Sequence, residues 1–180
     1  MLQNIRDPKR ASLFTLLIFS LTVLFIVSCG KKENQKSDKP AVAEYLVLMK
    51  EKESGKYGYM DSNGNTVVQP IYFEAGKFSS GRGRVRRNQN DPFIYIDATG
   101  RVAIQSEFVD ARDFSEGLAA VKLGDLWGYI DTTGKVAIEP KFQIASEFDH
   151  GRAKVQLKQD FNGKTMVTTV EIDPKGNLLD

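Results

Sequence analysis

Along residues 127–157 apolar and polar positions alternate with a period of two, and turn residues interrupt them at regular places. Residues 127–131, WGYID, form a β-rich run. The following Asp131-Thr-Thr-Gly134 predicts a hairpin turn, because aspartate can bond its own backbone two residues on and glycine takes positive φ without penalty. Residues 135–139 are the return strand, with Val136 and Ile138 on one face. Pro140 has no N–H to donate and predicts the end of pairing. A loop follows, in which Phe142, Ala145 and Phe148 are the core-forming positions. Gly151 then turns the chain. Residues 152–157 set Ala153, Val155 and Leu157 on one face against Arg152, Lys154 and Gln156 on the other, as in a half-buried strand. The unit thus predicts three short strands.

Two earlier stretches repeat this plan. Laid over residues 127–156, residues 93–122 are identical at 14 of 30 positions and residues 57–86 at 10 of 30, too many for chance. The chain is a repeat protein. Phe142, Ala145 and Phe148 recur as Tyr72, Ala75 and Phe78 and as Phe108, Ala111 and Phe114, so the loop is tied to a core. Asp-x-x-Gly turns mark the copies at Asp61, Asp97, Asp131 and Asp173. Residues 41–53 open the folded part where the third strand of a preceding copy would stand. Tyr45, Val47 and Met49 alternate there with Leu46 and Leu48, which predicts a strand covered on both faces. Asp160-Phe-Asn-Gly163 predicts a hairpin tip, residues 165–173 a long strand, and Asp173-Pro-Lys-Gly176 a turn. Residues 165–180 are then a truncated fourth copy that caps the stack. The expected fold is all-β, an array of three-stranded repeats arranged as a solenoid-like twisted sheet or a partial barrel. A closed propeller is disfavoured, because its blades usually take four strands and about 40 or more residues each.

The first 40 residues follow a different pattern. Arg6, Lys9 and Arg10 precede 18 uncharged residues, 11–28, and the small Ser28 stands just before Cys29. Residues 1–28 have the organisation of a secretion signal. An uncleaved signal-anchor helix is the weaker reading, since 18 residues barely span a bilayer. Residues 29–40 continue with GKKENQKSDKP after the cysteine, which has nothing apolar to bury and predicts a flexible tether. The repeat domain occupies residues 41–180. Ile26-Val27-Ser28-Cys29 resembles the lipobox of bacterial lipoproteins. That resemblance implies cleavage before Cys29 and acylation of its thiol and new amino terminus. Cys29 is the single cysteine of the chain and cannot form an intramolecular disulfide. Two or more acyl chains would make a permanent membrane anchor, at about 0.8 kcal/mol per buried methylene. Gly30, rather than an aspartate associated in some bacteria with inner-membrane retention, favours the outer membrane over the inner.

Within the repeats, Gly117-Leu-Ala-Ala-Val121, Leu126-Trp-Gly-Tyr-Ile-Asp131, Gly134-Lys-Val-Ala-Ile138 and Pro140-Lys-Phe142 resemble the WG, or KWG, repeat of bacterial proteins. The resemblance covers about residues 44–179. It is weaker in the first two copies, where Tyr57-Gly58 and Phe93-Ile94 stand for Trp-Gly. It implies an all-β interaction module, frequent in exported or envelope proteins, with no family catalytic residues to transfer.

Charge narrows the partners. The formal net charge of +2 falls to zero once residues 1–28 are removed, leaving 22 basic and 22 acidic side chains. Such a balance gives no reason to expect nucleic acid. No cofactor or metal is predicted: His150, the sole histidine, falls in a turn where the other copies carry Ser80 and Glu116. The turn aspartates lack the dense alternating acids of a calcium loop. Arg82, Arg84 and Arg86 are the candidate binding face, since on a strand they project to one side and suit phosphates or carboxylates of an envelope polymer. A solvated, aggregation-blocking face is the plainer reading of the same row. Trp127, Tyr129 and Tyr95 are better read as core layers than as sugar platforms. The expected function is a membrane-anchored scaffold that binds an envelope protein or anionic polymer. The alternatives are a hydrolase of envelope polymers, for which Asp110 and Asp113 are the acidic pair to inspect, and a purely structural spacer.

Overall fold

A computed structural model describes residues 45–179. Its strands form four small antiparallel sheets among the described residues, and none closes into a barrel. The first sheet joins β1 (Val47–Lys50), β2 (Tyr57–Met60) and β3 (Thr66–Tyr72). The second joins β4 (Glu74–Ser79), β5 (Arg82–Arg86), β6 (Phe93–Ile96) and β7 (Val102–Phe108). The third consists of β8 (Asp110–Ala111), β9 (Leu118–Leu123), β10 (Leu126–Asp131) and β11 (Val136–Phe142). The fourth consists of β12 (Ile144–Ala145), β13 (Ala153–Phe161), β14 (Lys164–Ile172) and β15 (Leu178–Leu179).

Sheet and sequence repeat are out of phase. The third strand of one copy pairs with the first strand of the next, as β9 does with β10 through Gly128↔Val121 and Tyr129↔Ala120. Part of each predicted loop adds a short fourth strand, so that Ala75, Ala111 and Ala145 pair with Val85, Val121 and Val155. The alternation in residues 127–157 showed where strands lie but not which copy each would pair with. β1 stands where a preceding copy's third strand is expected, and pairs with β2 accordingly. It is not covered on both faces, however: Leu46 is buried while Tyr45, Val47 and Leu48 are exposed. Among the described residues β1 is the edge strand of its sheet.

Pro140 does not end its strand either. β11 runs through it, and the register jumps from Tyr129↔Ile138 to Trp127↔Phe142, so the proline sits in a bulge that spares its missing N–H. Gly128 lies against this bulge. A Cβ there would stand 2.6 Å from the Ile138 carbonyl oxygen and 2.9 Å from the Pro140 nitrogen. A Cβ at Gly58 would press in the same way on the Val68 carbonyl oxygen and stand 2.9 Å from the Pro70 nitrogen. The glycine of the Trp-Gly pair is thus a close-approach residue. In the second copy Ile94 occupies this place, packs partly on the first core, and the bulge persists.

Each junction between successive sheets holds one core. The first gathers Tyr59, Tyr72, Phe78, Val85 and Ile96, the second Tyr95, Phe108, Phe114, Val121 and Ile130, and the third Tyr129, Phe142, Phe148, Val155 and Ile172. These are equivalent positions of the repeat. No single sheet can bury them, since the two rings that meet, Tyr59 with Phe78, Tyr95 with Phe114 and Tyr129 with Phe148, lie on either side of a sheet junction at 5.7, 4.9 and 4.9 Å between centroids. Stacking is therefore the folding step that removes apolar surface from water.

Candidate binding surface

The recurring tyrosines are structural. Tyr59, Tyr95 and Tyr129 are fully buried, and their hydroxyls donate to the carbonyls of Gly76, Arg112 and Ser146 at 2.8, 2.7 and 2.8 Å. Each bond crosses to the next sheet, 17 residues ahead. Burial pushes all three phenols well above the ordinary tyrosine value, which keeps them protonated and donating. Trp127 is buried at the third core. The turn aspartates are likewise engaged: Asp131 accepts from the backbone N–H groups of Thr133 and Lys135 at 2.9 and 3.1 Å. Asp61, Asp97 and Asp173 do the same in their own turns.

The arginine row is bound by the protein itself. β5 is an inner strand of its sheet, so its outward side chains meet neighbours on both sides. Arg84 forms ion pairs with Glu74 and Asp113, each at 3.0 Å, and its guanidinium lies 4.6 Å from the Phe93 ring centroid. Arg86 pairs with Glu74 at 2.6 Å and donates to the Gln89 carbonyl at 3.0 Å. Arg82 donates to the Thr132 carbonyl at 3.0 Å. Protein partners thus engage all three guanidiniums, although the buried Nε of Arg86 has no hydrogen-bond partner among the described residues.

Asp113 reaches from the third sheet back onto the second, accepting from the Lys77 N–H at 2.8 Å. Its carboxylate fills the space that a side chain at Gly76 would need. Asp110 accepts instead from the neighbouring Ala111 N–H at 2.8 Å. The two carboxylates thus have separate partners. His150 is 92% exposed and contacts Asp149 at 2.9 Å. It takes a positive φ of 51° before Gly151, matching Ser80 and Glu116 before their glycines. That is the geometry of a tight two-residue hairpin turn. Cys29, the predicted lipidation site, lies outside the described residues.

A concave site missing from the sequence reading opens between the first and second sheets. Lys50, Ser54, Gly55, Lys56, Tyr57, Phe73 and Glu74 line a cavity of about 520 Å³. Lys50 and Tyr57 face each other across β1 and β2, with the ammonium 4.9 Å from the ring centroid. Phe73, in the bend that joins β3 to β4, is 46% exposed. One repeat later Arg86, Gln89, Asn90, Asp91, Pro92 and Val109 line a second cavity of about 590 Å³ in the same position of the plan. The walls come from the six-residue connections 51–56 and 87–92, whereas β9 and β10 are joined by Gly124 and Asp125 alone. The sequence signal was that difference in spacing between copies. It was obscured because an alignment that begins each copy at its Trp-Gly strand leaves these connections between the copies.

No curated protein and no solved structure matches the chain. The family model of the WG containing repeat matches residues 57–90, 95–127 and 127–159, more than half of the chain. These matches cover the Trp-Gly, Tyr-Gly and Tyr95 strands together with the turns at Asp61, Asp97 and Asp131 and the recurring positions Tyr72, Ala75, Phe78 and their counterparts. The chain belongs to the WG-repeat family.

Proposed function

We propose that this protein is an exported lipoprotein of the bacterial envelope, held on a membrane through Cys29, whose repeats form a scaffold that binds an envelope partner. The observation that carries the binding role is the pair of cavities formed at successive sheet junctions. The repeat fold supplies a rigid frame, and the connections between copies vary on it. Binding residues carried on loops over such a frame are the usual arrangement. The anchor reading rests on the charged, apolar and small-residue order of residues 1–29, and Gly30 favours the outer membrane. The engagement of Asp113 by Arg84 and the Lys77 N–H supports a scaffold over a hydrolase that would need that carboxylate free.

The test follows the full chain in cells fed an alkyne-bearing palmitate, beside Cys29→Ala. Label and membrane fractionation are expected for the parent and loss of both for the variant. Label that survives the substitution overturns the anchor. Cross-linking of the parent in intact envelope is expected to recover a defined partner, and a protein that cross-links to nothing overturns the scaffold.

A further inference from the structure

The cavity between the first two sheets differs chemically from its repeat-related neighbour. In the second cavity the cation, Arg86, is consumed by Glu74 and the Gln89 carbonyl. In the first, Lys50 and Lys56 make no ion pair among the described residues. Glu74, the acid in its wall, is already held by two guanidiniums, Arg84 at 3.0 Å and Arg86 at 2.6 Å. The lining therefore presents two ammonium groups outside any ion pair of the described residues, that of Lys50 over the Tyr57 ring. Beside them stand two aromatic rings, Tyr57 and the half-exposed Phe73, and Arg86 backs the Phe73 ring at 5.6 Å. The Ser54 hydroxyl is held within its own connection, donating to Glu51 at 2.5 Å and accepting from the Lys56 N–H at 3.2 Å.

We infer that this cavity binds an acidic glycan, seating a carboxylate-bearing sugar with its C–H face on the Phe73 and Tyr57 rings and its carboxylate on Lys50 and Lys56. The assignment rests on the scaffold reading above and gives that scaffold its ligand class. Cations alone would suit any anion. Rings beside them select a ligand that offers an apolar face and a negative charge within one residue, as a uronic acid does. The volume, about 520 Å³, falls among those of small-molecule sites. Phe73 marks the specialisation, because the equivalent positions of later copies are Val109 and Gln143. Ammonium groups at a solvent-facing cavity give binding that weakens with salt.

The experiment is calorimetric titration of the full chain in detergent with tetragalacturonate, and with maltotetraose as its neutral counterpart. Saturable binding of the uronate is expected, at least tenfold tighter than the neutral tetramer and weakened by salt. Lys50→Gln with Lys56→Gln is expected to reduce affinity at least tenfold, and Phe73→Ala at least fivefold. Val109→Ala, in the second cavity, is expected to leave it unchanged. Equal affinity for maltotetraose, no uronate binding, or an equal loss in Val109→Ala overturns the assignment. Tetraglutamate or inorganic polyphosphate binding as tightly as the uronate also overturns it, in favour of a peptide or phosphate ligand. An envelope partner still cross-linked by a chain that ignores the uronate removes the glycan and leaves the scaffold. A chain that cross-links to nothing removes the scaffold.

Discussion

The junction between the second and third sheets and the junction between the third and fourth share one frame but differ in the polar groups that supplement it. Both bury a tyrosine whose hydroxyl reaches a carbonyl of the next sheet, Tyr95 to Arg112 and Tyr129 to Ser146. Both place a turn glycine against the preceding return strand, Gly134 on Ile104 and Gly176 on Ile138. At the earlier junction the supplement includes charge, with Arg84 clamped between Glu74 and Asp113, beside backbone bonds from Arg82 to the Thr132 carbonyl at 3.0 Å and from the Gly117 N–H to Ser80 at 3.3 Å. At the later one it is directed at backbone. Arg112 donates to the Ala145 carbonyl at 2.7 Å, Ser115 to the Phe148 carbonyl at 2.7 Å, and the Gly151 N–H to Glu116 at 2.9 Å. The difference separates what a repeat must keep from what a copy is free to change.

If the tyrosine frame is common to both junctions, truncating it should cost the same at each. Tyr95→Ala and Tyr129→Ala are each expected to destabilise the protein by about 3–5 kcal/mol, the range for removing a large buried aromatic side chain. Tyr→Phe at either site removes the hydroxyl alone, and the unpaired carbonyl is expected to cost about 1–3 kcal/mol. Urea unfolding of the four variants checks both figures. A Tyr95 variant that is harmless beside a damaging Tyr129 variant would break the equivalence and make charge the main tie at the earlier junction.

The supplements should separate the junctions. Asp113→Ala leaves the largely buried Arg84 with a single acid and the Lys77 N–H without its acceptor. A loss of about 2–3 kcal/mol is expected from a charge-assisted network cut at its centre. Arg112→Ala removes one charged donor from a carbonyl and a cation 5.3 Å from the Trp127 ring, for about 1–2 kcal/mol. Equal losses in urea unfolding would remove the distinction. Changing Arg84 and Arg86 to alanine together is expected to act on this network first, so reduced ligand capture by that variant reports unfolding unless its stability is measured beside it.

These junctions also show how far the fold could be read from sequence. Tyr95, Phe108, Phe114 and their counterparts recur at fixed spacing, and the structure buries them as the recurrence implied. The aspartate turns were legible for the same reason, since the bond from Asp131 to its own loop is local. Partnership between copies was not legible. A period of two tells that residues 118–123 form a strand but is silent on whether it pairs backward or forward, and the chain pairs it with β10 of the following copy. The arginine row failed to read as a network because its acids lie 10 and 29 residues from Arg84, Glu74 reaching it through the pairing of β4 with β5 and Asp113 only once two sheets have stacked. Lys50, Tyr57 and Phe73 were scattered for the same reason: the cavity exists only where two sheets meet.

The smallest expected effect compares junctions with turns. Asp61, Asp131 and Asp173 lie at exposed hairpin tips, and the side-chain and backbone hydrogen bonds they accept hold each carboxyl below the ordinary aspartate value. Asp97 is shifted the same way by Thr99 and the Arg101 N–H, against an opposing effect of burial. The folded pKa is depressed, so the contribution is complete above the unfolded aspartate value, about 3.9, and is lost as pH falls through the lower folded value. Stability should therefore decline below about pH 4, where the unfolded chain takes up protons first. Asp131→Asn keeps an acceptor oxygen for the Thr133 and Lys135 N–H groups but cannot titrate. The variant is expected to unfold close to the parent at neutral pH and to lose less stability between pH 5 and pH 3. Thermal melts across that range decide it. Parallel losses in both proteins would place the acid sensitivity outside these turns.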